Sequence, residues 1–231
     1  MDAKSRYVTS NGLRLHYVEW GRENAPAIVL LHGLRAYGHW FDEFADVAKN
    51  HYRLLALDQR GRGESEWSKD GHYNTDAYVA DLEGLVDATV PGKFILAGHS
   101  MGGRNAVHYA ARHPDRVAAL LILDSAPESN PVGLRRIQGE LAETPKEFDS
   151  WKAARAFIRR LHAKPSEQHI DTRLHWMLKE DPNGKIVWRL DDAIFTQKVA
   201  PDPHERTWAL LGQIKCPTLI VRGDQSDVTS A

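Results

Sequence analysis

Short apolar runs recur through the first half of the chain, and a polar, glycine-containing stretch follows most of them. The residues in these runs are hydrophobic at consecutive positions, which predicts strands that are buried on both faces. One further run of the same kind lies near the end of the sequence. The predicted buried strands are Ala27–Leu31, Arg53–Leu57, 94–97, Val117–Leu123 and Thr218–Val221.

The segments between these strands carry apolar residues at helical spacing. Tyr78, Leu82 and Leu85 show this spacing and would share one face of a helix. Strands that alternate with amphipathic helices predict a mostly parallel sheet with helices on both faces. The predicted helices of this first half cover residues 40–49, 75–89 and 104–112.

A β-hairpin is predicted at the start of the chain. Asn11-Gly12 separates a strand-like segment at residues 7–8 from a second one at Leu13–Trp20. Asn-Gly between two strand-like segments is a strong signal for a tight turn. The second arm alternates apolar and polar side chains, so we expect it to be a half-exposed antiparallel edge.

The alternation of strands and helices stops after Pro127. The following residues are richer in charge and indicate helices separated by proline and glycine breaks. We therefore predict an α/β core made of residues 1–127 and 213–231, with a helical lid insertion at 128–212. The alternative is a plain helical layer whose tryptophans pack in the core. The predicted helices are 132–143, 151–162 and 169–179, with an extended piece at 185–190, and the tryptophans are Trp151, Trp176, Trp188 and Trp208.

Composition excludes several classes of partner. The 231 residues carry 30 lysines and arginines against 31 aspartates and glutamates, and the positive charges are dispersed. This balance argues against nucleic acid or an anionic membrane as a partner. Cys216 is the single cysteine, so no intrachain disulfide forms. The apolar runs are too short to span a bilayer and no apolar leader follows Met1, so a cytoplasmic location is expected.

One turn carries the strongest chemical signal. Gly98-x-Ser100-x-Gly102 lies between a predicted strand and a predicted helix, which is the pattern of a nucleophile elbow. The flanking positions must be small because larger side chains would collide across the sharp turn. Ser100 is therefore the candidate nucleophile. The alternative interpretation is an ordinary serine that caps the helix.

Four motifs follow predicted strands in order along the chain. They are His32-Gly33, Asp58-x-Arg60-Gly61-x-Gly63-x-Ser65, Gly98-His99-Ser100-Met101-Gly102-Gly103 and Arg222-Gly223-x-x-Ser226-Asp227. Together they resemble the α/β-hydrolase fold family, in its esterase-like branch with a helical lid, over nearly the whole chain. The serine in the elbow differs from the aspartate that haloalkane dehalogenases and soluble epoxide hydrolases have there.

The resemblance implies the remaining parts of the machinery. The backbone N–H of Met101 directly follows the nucleophile and would be one oxyanion donor, and the family implies Leu34 as the other. Asp227 is the implied acid that orients the base. Asp124, at the end of an earlier strand, is the alternative acid, and Asp224 is a nearby carboxylate that could be mistaken for it.

Further residues are expected around the substrate pocket. They are His32, Gly33, Arg35, His99 and Trp176. Arg35 would favour an acidic substrate if it entered the pocket, and the alternative is a solvated arginine. No metal or cofactor is expected, because the glycine-rich stretch 58–65 lacks the lysine of a phosphate loop and Glu66 replaces the third glycine of a dinucleotide fingerprint.

The general base is the missing member of the implied triad. The family places this histidine after the acid, and all 12 histidines of the sequence precede Asp227. His162, His169 and His175 of the predicted lid would reach Ser100 only through an unusual geometry. We therefore expect a form truncated before a final strand and helix. Such a form would expose the strand at 218–221 and favour a homodimer through that edge.

The expected function is that of a serine hydrolase. Its partner would be a small-molecule acyl substrate, an ester, lactone or similar compound cleaved through an acyl-enzyme. Hydrolysis of a carbon–carbon bond in a dienoic acid is the alternative within the same machinery, and perhydrolysis or acyl transfer is a further one. A hypothesis of another class is a non-catalytic fragment that binds small apolar ligands.

Overall fold

The computed structural model describes residues 2–128, 130–161, 166–196 and 204–229. The strands in these ranges are β1 (Lys4–Ser10), β2 (Leu13–Trp20), β3 (Ala27–Leu31), β4 (Arg53–Leu57), β5 (Phe94–His99), β6 (Val117–Leu123), β7 (Glu147–Phe148), β8 (Leu178–Glu180), β9 (Ile186–Trp188) and β10 (Thr218–Val221). The helices are α1 (Asp42–Ala48), α2 (Thr75–Thr89), α3 (Met101–Arg112), α4 (Pro131–Ala142), α5 (Trp151–Arg160), α6 (Glu167–Met177), α7 (Asp192–Thr196) and α8 (His204–Leu211). A 3₁₀ turn at Gly38–Phe41 leads into α1.

Seven strands form one sheet in the order β1-β2-β4-β3-β5-β6-β10. The pairs β1–β2 and β2–β4 are antiparallel, and the other neighbours are parallel. The predicted mostly parallel α/β sheet is therefore confirmed. Strands β3, β4, β6 and β10 and helix α2 begin and end at the predicted residues, because continuous apolar runs and regular helical spacing are strong local signals.

The two faces of the sheet are covered by different helices. One apolar cluster joins the sheet to α2 and α3, with Leu82, Leu85 and Tyr109 among its buried members. A second cluster covers the opposite face, where Phe41 and Ala45 pack from the 3₁₀ turn and α1. Burial on both faces explains why these strands are apolar at consecutive positions.

The predicted hairpin is present, but the prediction for its second arm was wrong. Asn11 and Gly12 have φ angles of 50° and 74° at the turn. Strand β2 lies inside the sheet, between β1 and β4, and most of its side chains are buried, while β1 forms the exposed edge. The polar positions of β2 tolerate burial because they are paired: His16 Nδ1 lies 2.7 Å from the carboxylate of Asp58.

The described residues between 128 and 212 form a layer with its own apolar cluster. The three predicted helices correspond to α4, α5 and α6, which differ from the predicted bounds by one to two residues at most ends. The extended piece is strand β9, the centre of a small sheet in the order β7-β9-β8. Strands of two or three residues are too short to carry a detectable period, so this sheet was missed.

The tryptophans of this layer differ in their packing. Trp188 is buried, whereas Trp151 and Trp208 are exposed. The apolar cluster of the layer also includes Tyr37 and Tyr78 from loops and helices of the sheet domain, so the layer packs directly onto that domain. Among the described residues, no helix has the length and apolar character that a bilayer crossing requires.

Candidate active site

The turn between β5 and α3 holds Ser100 in a strained conformation. Ser100 has φ 51° and ψ −117°, a region that residues with a side chain rarely occupy. A Cβ at Gly98 would overlap the carbonyl of Gly102, and a Cβ at Gly102 would overlap the carbonyl of Leu31. The tight packing on both sides explains the glycines, and it presents the Ser100 side chain at the end of the sheet.

Ser100 opens onto a cavity of about 620 Å³. The cavity lies between the ends of the sheet strands and helices α4 and α7. Apolar side chains make up much of its wall, as expected for a site that takes a small organic ligand. The residues that matter for the chemistry are Leu34, Arg62, Ser100, Met101 and Asp124.

A buried hydrogen-bond chain holds the loop that carries Leu34. Gln59 N–H donates to His32 Nε2 at 3.0 Å, so the other ring nitrogen, Nδ1, carries the proton and donates to the Gly33 carbonyl at 2.7 Å. The side-chain amide of Gln59 also donates, through Nε2, to the His32 carbonyl at 2.6 Å. Asn105 of α3 in turn donates to Gln59 Oε1 at 2.7 Å, which ties the loop to the nucleophile helix.

This hydrogen-bond chain fixes the direction of the backbone N–H of Leu34. The Gly33–Leu34 peptide is trans, so its N–H points away from the carbonyl that His32 holds. Burial lowers the pKa of His32 to about 4, and the ring therefore stays neutral and keeps its acceptor nitrogen at neutral pH. His32 is thus a support of the loop behind the cavity wall.

The two candidate acids lie in different surroundings. The carboxylate of Asp227 accepts two hydrogen bonds from Arg136 of α4, both at 2.7 Å, and its side chain is 39% exposed. These bonds and the positive charge of Arg136 lower the pKa of Asp227. Asp124 lines the cavity with Ser100, has φ 46°, and its Oδ1 is buried without a hydrogen-bond partner in the described part of the chain.

Arg35 is turned toward helix α4. Its guanidinium donates to Glu140 at 2.6 Å, and the other oxygen of Glu140 accepts from Arg136 at 2.5 Å. These contacts form a row of four side chains whose charges alternate in sign, in the order Arg35, Glu140, Arg136 and Asp227. The positive charge of Arg35 is balanced by this contact, and Arg35 is not part of the cavity wall.

His99 and Trp176 lie away from the Ser100 cavity. The His99 ring packs behind Gly33, where a Cβ would come within 2.9 Å of Nδ1, and stacks on Trp40 with ring centres 5.8 Å apart. Burial lowers the pKa of His99. Trp176 stacks on His39 at 3.6 Å and lines a second cleft, of about 540 Å³, together with Trp40.

No imidazole reaches Ser100 among the side chains that the structure describes. His169 packs against Trp40 and His175 against Trp176, both beside the second cleft. His162 lies outside the described residues. The same described ranges contain no group of histidine, cysteine and carboxylate side chains with the spacing of a metal site.

Sequence reasoning missed the role of Arg62 in the cavity wall. Most of the stretch 58–65 has a structural role, since Asp58 accepts hydrogen bonds from the backbone N–H groups of Gly38 and Glu64. Arg62, in contrast, extends from this loop to the cavity. No local pattern separates it from Arg60, which pairs with Asp81 of α2 at 2.6 Å.

Comparison with known proteins gives one consistent result. A family model described as the alpha/beta hydrolase fold matches residues 26–230. A bifunctional esterase/perhydrolase from Acinetobacter calcoaceticus is 30% identical, covering 96% of this chain and 82% of the relative. A crystal structure of an alpha/beta hydrolase from Novosphingobium aromaticivorans is 30% identical with a TM-score of 0.87, covering 99% of this chain and 84% of that one. The crystal structure of E-2-(acetamidomethylene)succinate hydrolase is 25% identical with a TM-score of 0.88, covering 100% and 84%.

Proposed function

The chain belongs to the α/β-hydrolase family and is a hydrolase, and on this premise we propose that it cleaves a small ester, lactone or similar acyl compound through an acyl-enzyme on Ser100. One observation carries the proposal. Ser100 is held at φ 51° in a turn that only small neighbours permit, and it opens onto a cavity large enough for a small substrate. Backbone strain of this kind persists where the surrounding structure maintains it for function.

The reaction begins with attack of Ser100 Oγ on the substrate carbonyl carbon. The oxygen of that carbonyl becomes negatively charged, and the backbone N–H groups of Met101 and Leu34 would stabilise it. Collapse of the tetrahedral intermediate breaks the bond to the leaving group, which takes up a proton, and leaves the acyl group on Ser100. Water then attacks the acyl-enzyme, releases the acid and restores the serine.

The Ser100 hydroxyl needs a proton acceptor during this attack. A neutral imidazole is the usual base for a serine nucleophile, and a carboxylate orients it. Two carboxylates compete for this second role. The resemblance favours Asp227, which would have to share or leave its contact with Arg136. The position of Asp124 in the cavity wall favours Asp124 instead.

Imidazole added from solution provides a direct test of the proposal. We expect p-nitrophenyl acetate to acylate Ser100, and we expect imidazole to accelerate acylation and turnover because it supplies a proton acceptor that the described side chains do not place beside Ser100. Intact-protein mass spectrometry would show one acetyl group, located on the peptide that contains Ser100. Ser100→Ala in the same imidazole buffer is the control for hydrolysis by imidazole itself, and equal rates with both proteins would contradict the proposal.

The same experiment distinguishes the two acids. Asp124→Asn and Asp227→Asn are compared with the wild type for the imidazole-dependent rate. Substitution of the carboxylate that orients the base is expected to lower this rate by about tenfold or more, because its charge is removed. The other substitution is expected to alter it little.

A second candidate reaction uses the same elbow. Hydrolysis of a carbon–carbon bond in a dienoic acid is supported by the guanidinium of Arg62 in the cavity wall, which suits an acidic substrate. The loss of the ultraviolet absorbance of a conjugated dienoate on addition of the protein would identify this reaction. A protein that binds such ligands, yet neither consumes them nor becomes acylated, would instead be a non-catalytic ligand-binding protein.

A further inference from the structure

Arg62 brings a fully buried positive charge to the wall of the Ser100 cavity. The side chain is 1% exposed and is the largest of the fully buried side chains. It lines the same cavity as Ser100, Met101 and Leu34. A buried guanidinium is costly unless a negative charge compensates it, so its surroundings decide what it does.

The hydrogen-bond partners of Arg62 in the described part of the chain are all uncharged. Nε donates to the Leu34 carbonyl at 3.0 Å, and Nη1 donates to the Arg60 carbonyl at 2.8 Å and to the Tyr78 hydroxyl at 2.7 Å. Among the described residues, the hydrogen-bond partner of Nη2 is the Met101 sulfur, at 3.5 Å. A guanidinium has five N–H donors, so one donor of Nη2 is left over and another is used on a weak acceptor.

The neighbouring carboxylates are engaged elsewhere. Asp58 accepts from His16, and Asp191 accepts from the Tyr73 hydroxyl. In the ranges that the structure describes, no carboxylate forms an ion pair with Arg62. The cavity wall therefore holds a cation that forms no ion pair with a described carboxylate, although Asp124 lines the same cavity.

The Arg62 guanidinium contacts both residues that would supply the oxyanion N–H groups. It holds the carbonyl of Leu34 and contacts the side chain of Met101. A carboxylate bound at Nη2 would thus lie close to the scissile carbonyl. The methionine side chain is flexible and its sulfur is a weak acceptor, so a carboxylate can displace it and form a charge-assisted hydrogen bond.

We propose that Arg62 selects substrates whose acyl part carries a carboxylate a few bonds from the scissile carbonyl, such as half-esters of short dicarboxylic acids. This inference rests on the proposed acyl chemistry at Ser100. Of the other positive charges near the cavity, Arg35 is neutralised by Glu140, and Arg104 is the second arginine of the wall, whose contribution a separate variant measures.

The test measures binding of two ligands of nearly equal size that differ in charge. Succinamate carries one carboxylate and one amide, and succinamide carries two amides. Isothermal titration calorimetry is performed at pH 7.5 with the wild-type chain. We expect succinamate to bind about tenfold or more tightly, because hydrogen bonds to a buried charge are stronger than neutral ones. Equal binding of the two ligands by the wild type would overturn the proposal.

Variants assign the preference to Arg62. Arg62→Met is expected to abolish it, and Arg62→Lys to retain part of it because the charge stays without the planar fork. Arg62→Lys also serves if the methionine variant fails to fold. Arg35→Met is the matched control, since its guanidinium is already paired, and Arg104→Met tests the other arginine of the cavity wall. If Arg35→Met or Arg104→Met lost the preference for succinamate and the Arg62 variants kept it, the assignment of the preference to Arg62 would be overturned.

Ser100→Ala separates this inference from the proposed function. The alanine variant is expected to keep the preference for succinamate, because the carboxylate contacts Arg62 and not the serine. Binding preference without acylation of Ser100 in the wild type would support the anion site and contradict the hydrolase mechanism. Acylation of Ser100 with no preference between the two ligands would support the hydrolase mechanism and contradict the anion site.

Discussion

The stability of the fold is expected to fall at acid pH through one buried histidine. His32 has no exposed surface, and burial lowers its pKa from the ordinary 6.5 to about 4. Its Nε2 accepts from the Gln59 N–H, a bond that a protonated ring cannot accept. Between these two pH values the unfolded chain takes up a proton that the folded chain excludes, so stability declines as the pH falls through this window.

The magnitude follows from the two pKa values. Each pH unit between them is worth about 1.4 kcal/mol, so about 3 kcal/mol of stability is lost through His32 as the pH falls from neutral to 4. Above pH 6.5 His32 is neutral in both states and this loss is absent. A loss of this size is a substantial part of the stability of an ordinary domain.

Urea unfolding of the wild type and of His32→Gln provides the assay. Glutamine does not titrate, so the effect of the substitution itself on the free energy of unfolding is constant with pH. The difference in the free energy of unfolding between the wild type and His32→Gln is expected to shrink by about 1.4 kcal/mol per pH unit between pH 6 and pH 4.5. His51→Gln is the matched control, because His51 is exposed, and it should follow the wild-type curve. Parallel pH profiles for the wild type and His32→Gln would refute the reasoning.

Three further predictions concern the elbow, the predicted acid and the sheet edge. Gly98→Ala should cost several kcal/mol in urea unfolding, since its Cβ would overlap the backbone, whereas Gly139→Ala, exposed in α4 with open space around it, should gain about 0.5–1 kcal/mol. Arg136→Met should raise the pKa of Asp227 toward its ordinary value in a ¹³C NMR titration, and an unchanged pKa would contradict the assigned cause. Ile220 is 62% exposed on the edge strand β10, so light scattering should show a concentration-dependent dimer that Ile220→Lys abolishes, and a wild type that stays monomeric would disprove dimerisation through this edge.

Much of the sheet could be predicted because its signals are local. A run such as Val117–Leu123 is apolar at every position, which is compatible with few structures other than a strand covered on both faces. The elbow was found for the same reason. Gly98, Ser100 and Gly102 are separated by single residues, and their requirement for small side chains operates within one turn.

The errors and omissions share a different cause. Strand β2 looked like an edge because the polar residues Arg14 and His16 alternate with apolar ones. His16 is nevertheless buried and pairs with Asp58, and Glu19 of the same strand is buried and accepts from Arg53. Arg35 was expected near the substrate, and it pairs instead with Glu140, 105 positions away. Such pairings depend on the route of the whole chain, and no local period reports them.

By itself, then, the sequence determined the parallel sheet, the order of its motifs and the presence of a strained serine at a strand end. Hydrophobic periodicity and turn sterics act over a few residues, so they can be read directly from neighbouring positions. The tertiary structure decided which of the described charges neutralise one another. Asp227 is held by Arg136, whereas Arg62 is buried among carbonyl, hydroxyl and sulfur partners beside Ser100. Burial and pairing of charge depend on three-dimensional neighbours, and the proposed preference for a carboxylate rests on them.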